Sequence, residues 1–218
     1  MDLQLKDTAT VPRILTVVGS VTPPGRLRRA VGEANDRLRA RQAIETATID
    51  LGDLTLAFAD GRAPEAFADD TAQAVQAIRD ADSVLIATPV YRGSFTGALK
   101  NLLDQTPVDA LFAKPTGIVS MGATLHHFLG ADRHLRDVLA FYGALVAPVS
   151  VYLTSSDFVD GVPSVASARE LDQLLDALVG LLTTSSYAAQ GPSPLAARSS
   201  PTVAGRPAGG AGPRRACQ

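Results

Sequence analysis

The chain has 218 residues, 46% of them hydrophobic, with a formal net charge of −2. That is enough apolar material for a sizeable core, and a field too weak to mark nucleic acid or an anionic membrane as the partner. A single cysteine, Cys217, excludes an intramolecular disulfide framework and a cysteine-based zinc site.

Residues 1–12 read as an N-terminal extension. They lack the basic start and apolar core of a secretory signal, and no later apolar run approaches the ~20 residues of a membrane span. A soluble, cytoplasmic protein is expected. From residue 13, short β-rich runs alternate with longer amphipathic segments. Strands are predicted at 13–18, 44–50, 83–87, 116–120 and 145–153, and helices at 27–40, 66–79, 96–104, 127–142 and 167–182. The last helix carries Leu171, Leu174, Leu175, Leu178 and Leu182 on one face. Five strands separated by helices imply right-handed crossovers and a parallel sheet covered on both faces, an α/β doubly wound domain over 13–184. Residues 185–218 change to Ala, Gly, Pro, Ser and Arg without periodicity, with four arginines and no acid, and read as a disordered tail.

Ligands of such sheets lie outside the carboxyl ends of the strands, where strand order reverses. Strand one ends in Gly19-Ser-Val-Thr-Pro-Pro-Gly-Arg-Leu-Arg-Arg29. This loop contains neither G-x-G-x-x-G nor a Gly-Lys-Ser/Thr step, which disfavours the dinucleotide and nucleoside-triphosphate modes. It suits a terminal monophosphate, with the Ser20 hydroxyl, the N–H groups of Thr22, Gly25, Arg26 and Leu27, and the Arg26 guanidinium as donors. A plain strand-to-helix turn is the alternative. Strand three leads into Thr88-Pro-Val-Tyr-Arg-Gly-Ser-Phe-Thr-Gly97. Tyr91 offers a flat apolar face, Gly93 and Gly97 permit close approach, and the N–H groups of Val90, Tyr91, Arg92, Gly93 and Ser94 are candidate donors to a heterocycle. The alternative is a surface Tyr with Ser94 or Thr96 capping the next helix.

The run Thr88-Pro-Val-Tyr-Arg-Gly-Ser-Phe-Thr-Gly-Ala-Leu-Lys-Asn-Leu-Leu-Asp104, with Gly19-Ser20, Met121-Gly-Ala-Thr-Leu-His-His127 and Asp132-Arg-His-Leu-Arg136, resembles the NADPH-dependent FMN reductases. The similarity is greatest to the reductase components of two-component alkanesulfonate-type monooxygenase systems. The resemblance implies a flavodoxin-like fold of strand order 2-1-3-4-5. It implies FMN with its phosphate at Ser20 and Arg26, ribityl chain and ring at Pro89, Val90, Tyr91 and Gly93, and Gly122 on the ring's far side. It further implies NADPH or NADH as hydride donor, a flavin-dependent monooxygenase as partner, a homodimer or homotetramer, and a helix bulge or interface near Arg133 and His134. The first loop departs from the family pattern, with Thr22, Gly25 and Leu27 where an Arg and hydroxyl residues usually stand. Fewer donors to the phosphate imply weaker FMN retention.

Hydride transfer between stacked rings needs no side-chain acid or nucleophile, so no catalytic triad is expected. His126, His127 and His134 lack a carboxylate at ligand spacing and are read as cap, interface or nicotinamide contacts, with no metal. The rival readings are a quinone, azo or nitro reductase with tightly bound FMN, a flavodoxin-like electron carrier, and a flavin-free interaction module. A carrier usually has an acidic face around the flavin, whereas Arg92 lies in the third-strand loop and Arg26, Arg28 and Arg29 lie beside the first.

Overall fold

Alternating apolar residues in three adjacent strands divide the core in two. The structure, a computed structural model, describes residues 11–184, and the expected disordered tail lies outside the described residues, as does the extension up to residue 10. Strands β1 (Arg13–Val18), β2 (Glu45–Asp50), β3 (Ser83–Pro89) and β4 (Pro115–Met121) run parallel in the order β2-β1-β3-β4. Two short strands, β5 (Leu145–Val146) and β6 (Val151–Leu153), both pair with β4 and complete the edge. The order is the flavodoxin-like 2-1-3-4-5.

Successive side chains of a strand face opposite sides. Leu85 and Ala87 therefore join Ile14, Val18 and Val119 beneath α1 (Arg26–Arg41) and α5 (Val165–Thr184), where Leu38, Leu171, Leu175 and Leu178 pack. Val84 and Ile86 join Leu15, Val17 and Ile118 beneath α2 (Thr71–Asp80), α3 (Gly97–Gln105) and α4 (Gly130–Tyr142). The α5 leucines predicted to share one face meet the sheet there, except that Leu182 is only partly buried.

The structure departs from the sequence reading in four places. The fifth strand is interrupted: Ala147 N–H still donates to Thr116 C=O at 2.9 Å, but Pro148 follows and has no N–H to continue the ladder. α2 begins at Thr71 rather than 66, because residues 64–66 form a separate 3₁₀ turn opened by Pro64. α4 begins at Gly130 rather than 127, after a 3₁₀ turn over Leu125–His127. A hairpin of β7 (Phe158–Val159) and β8 (Val162–Pro163) closes on Asp160-Gly161, both at positive φ. The Asp-Gly pair between two Val residues is the sequence signal for it.

Acids of the segment between β2 and α2 bond backbone N–H groups of the same segment. Asp70 accepts from Thr55 N–H at 2.8 Å and Asp69 from Ala57 N–H at 2.7 Å. Asn101 of α3 takes Ala59 N–H and gives to Ala57 C=O, pinning the same segment from the other side.

Tyr142 closes α4 with its ring buried and its hydroxyl donating to Leu103 C=O. Burial pushes the phenol up to about 12 from its ordinary 10. Because the folded state favours the neutral phenol, this contribution to stability is complete below pH 10 and is lost as pH rises through 12. Tyr142→Phe should therefore flatten the fall in the urea midpoint between pH 10 and 12, measured as a series of unfolding curves against pH.

Candidate functional site

The carboxyl ends of β1, β3 and β4 converge on one cleft. It has a volume of 270 Å³, and its walls include Ser20, Thr22, Arg26, Asp50, Pro89 and Met121. The first-loop residues singled out in the sequence are thus gathered, with Gly25 and Leu27 also on the wall. Ser20 Oγ and Thr22 Oγ1 are 2.8 Å apart, and Thr22 N–H reaches Ser20 Oγ at 3.3 Å. Gly25 is the N-cap of α1 and supplies no side-chain bond, so the first-turn N–H groups of Arg26 and Leu27 face outward without intrahelical partners. The positive end of the helix dipole is added to them.

Two arginines flank this helix start and behave differently. Arg28 is neutralised by Asp50 at 3.1 Å and Asp53 at 2.9 Å. Arg26 meets no carboxylate among the described residues: its Nη2 donates to Ser155 Oγ at 3.1 Å, and its guanidinium carbon lies 5.3 Å from the centre of the Phe158 ring. Its charge remains available to an anion in the cleft.

The third-strand loop is tighter than expected. Tyr91 N–H donates to Ser94 C=O at 2.8 Å and Ser94 N–H to Tyr91 C=O at 3.0 Å, closing a two-residue turn. Arg92 and Gly93 sit at φ 52° and 80°, the positive pair of a type I′ turn. Val90 N–H is likewise spent, on Met121 C=O at 2.8 Å. Three of the five N–H groups read as ligand donors, those of Val90, Tyr91 and Ser94, are therefore committed to the protein, leaving those of Arg92 and Gly93. The Tyr91 side chain is 46% exposed at the loop's tip.

Other candidates fall elsewhere. Gly122 lines none of the clefts described here, and its lack of a side chain answers to a neighbour within the protein: a Cβ there would stand 2.0 Å from the Tyr152 hydroxyl. That hydroxyl, raised in pKa by burial, donates to Thr124 C=O at 2.6 Å. Arg133 and His134 lie in the first turns of α4, where His134 Nδ1 is 2.9 Å from Ser94 Oγ. Among the described residues no group of three or more His, Cys, Asp or Glu is placed to hold a metal ion. Sequence reasoning missed Met121 and Asp50 as cleft walls. Their signal is the parallel register, which sets Met121 beside Pro89 and Asp50 beside Val18.

Comparison with known proteins gives a consistent picture. The family model for NADPH-dependent FMN reductase matches residues 12–158. An NAD(P)H-dependent FAD/FMN reductase from Geobacillus thermodenitrificans is 37% identical over 115 residues, 53% of this chain and 62% of that protein. The NADH-dependent FMN reductase SfnF of Pseudomonas fluorescens is 30% identical over 148 residues, 68% of this chain and 79% of that protein. Among solved structures, the apo form of the NADH:FMN oxidoreductase EMOB superposes with a TM-score of 0.67 at 27% identity, covering 81% of this chain and 91% of the other.

One side chain joins the two loops. Thr96, buried, is the N-cap of α3: its Oγ1 accepts from Leu99 N–H at 3.1 Å and donates to Gly19 C=O, at the root of the first loop. Thr96→Ala removes the cap and leaves a buried carbonyl without its partner, an expected loss of about 1–3 kcal/mol. Thr96→Ser should recover most of it, and urea unfolding of the three proteins measures both.

Proposed function

The chain belongs to the NADPH-dependent FMN reductase family, and from that membership we propose that it oxidises NADPH or NADH and reduces FMN, handing the reduced flavin to a separate flavin-dependent monooxygenase. The observation that carries this reading is the cleft at the end of β1. An uncapped helix start, two hydroxyls and a guanidinium without a carboxylate partner converge there, a donor set fitted to a phosphomonoester.

Ser20, Thr22, Gly25, Arg26 and Leu27 hold the phosphate in this reading, and Pro89 begins the wall along which the rest of the flavin runs. Tyr91 presents its exposed face to the ring system, and the free N–H groups of Arg92 and Gly93 give it polar contacts. Bound FMN supplies the hydride-accepting ring. The protein's part is to orient that ring against the nicotinamide and to keep water from between them. The phosphate cleft holds a single uncommitted arginine, since Arg28 is occupied by two carboxylates. A site so lightly charged favours exchange of flavin over permanent retention, as a donor of reduced flavin requires.

Leu125 and Phe141, both exposed on the segment after β4, support a homodimer or homotetramer joined through that surface. Among the described residues no helix is long and apolar enough to cross a membrane, and the reading places the reaction in the cytoplasm.

Steady-state oxidation of NADPH and NADH with FMN, FAD and riboflavin varied tests the proposal. Saturable dependence on added FMN is expected, and failure of every flavin to raise nicotinamide oxidation above background would refute it. Saturated yellow protein indifferent to added FMN, but active with quinone, would move the assignment to an acceptor reductase. Arg26→Ala should raise the KM for FMN about 10- to 100-fold, the worth of a charge-assisted hydrogen bond, and leave the KM for riboflavin, which has no phosphate, within about twofold.

A further inference from the structure

A second cavity, of 320 Å³, opens between the third-strand turn and the start of α4, and brings together the three histidines read from the sequence as cap, interface or nicotinamide contacts. Gly93, His126, His127, Phe128, Arg133 and His134 are among its walls, and no acidic side chain is. The Arg133 guanidinium makes no hydrogen bond or ion pair with any described residue. Arg136, one turn on, is by contrast bound to Asp132 at 2.9 Å, and Arg37 and Arg79 also meet carboxylates. Asp132 stands in the first turn of α4 yet brings no negative charge to the cavity, because it is buried and both its oxygens accept from Arg136. Leu129, the N-cap of α4, provides no side-chain bond, so backbone N–H groups add to the donors there.

The cavity is fixed to the ring-binding turn. Gly130 packs so closely that a Cβ would lie 2.5 Å from Gly93 C=O, and Ser94 Oγ is bonded to His134. A guanidinium pairs with phosphate oxygens through parallel N–H bonds, and imidazoles donate N–H whether or not they are charged. Phe128, 52% exposed, adds an apolar wall suited to a sugar or base.

We propose that this cavity binds the diphosphate of the reduced nicotinamide dinucleotide, with Arg133 and His127 as its principal donors. The inference rests on the reductase reading above. In that reading the nicotinamide meets the flavin beside Tyr91 and Gly93, and Gly93 is itself a wall of the cavity. The diphosphate is common to NADPH and NADH, so the site strengthens both alike and does not discriminate between them.

The test compares wild type, Arg133→Gln and the Arg133→Gln/His127→Gln double variant. Three donors are used, NADPH, NADH and 1-benzyl-1,4-dihydronicotinamide, which carries no phosphate, together with calorimetric titration of ADP-ribose, which carries the diphosphate but cannot reduce flavin. The expected result is a rise of about tenfold in KM for both dinucleotides, an unchanged kcat/KM for the benzyl donor and a similar weakening of ADP-ribose binding. An unchanged KM, an equal loss with the benzyl donor, an effect confined to NADPH, or wild type that fails to bind ADP-ribose would each overturn the site. Binding of ADP-ribose that depends on Arg133, in a protein that reduces no flavin with any donor, would uphold the site and overturn the reductase reading instead.

Discussion

The ligand-binding end of this molecule depends on one buried threonine. Thr96 starts α3 by accepting Leu99 N–H and fixes the first loop by donating to Gly19 C=O, while its own N–H reaches Thr88 Oγ1 at 3.3 Å. The strand order places the two loops next to each other, Gly19 N–H ties their roots by donating to Ala87 C=O at 2.7 Å, and the threonine adds a second link. Sheet topology brings β1 and β3 side by side to within a strand spacing, and a hydroxyl 2% exposed does the remaining adjustment. A phosphate held by one loop and a ring held by the other need that separation to be constant.

The third-strand loop shows what such constancy costs in donors. Closing Tyr91 onto Ser94 consumes two N–H groups, and Arg92 is held at positive φ, a conformation unfavourable for a side chain larger than glycine's. In exchange the turn is short and narrow, and it fits under Gly130 with no room for a methyl group between them. The third-strand loop and the start of α4 therefore act as one body, so a ligand touching both is held in one register.

The sheet was legible in the sequence because its central strands are nearly continuous apolar runs and the helices keep a 3.6-residue period. The residues Ser20, Thr22, Gly25, Arg26 and Leu27, singled out in the sequence, do come together on one cleft wall. The donors of the third-strand loop were not legible. The sequence Tyr91-Arg-Gly-Ser94 lacks the Asn-Gly or Asp-Gly pair that announces a two-residue turn, so committed N–H groups looked free. Gly122 was read toward a ligand from the resemblance, and a second reason for a glycine there, the Tyr152 hydroxyl, was hidden because Tyr152 is distant in sequence and meets it through β4–β6 pairing. Met121 and Asp50 entered the cleft by register, which a single sequence does not state. The roles of the carboxylates at 69 and 70 were not legible, since their partners are backbone N–H groups with no sequence signature.

The interruption at Pro148 has a consequence beyond the shape of the fifth strand. A parallel sheet ends in a row of backbone groups that another extended chain could extend, and long straight edges invite such growth. Here the β5–β6 edge offers only two residues, then a stretch without ladder hydrogen bonds headed by an imino acid, then three more. No incoming strand finds a continuous register along it. A break that looks like a defect in the sheet is also what keeps that side from serving as a template for aggregation.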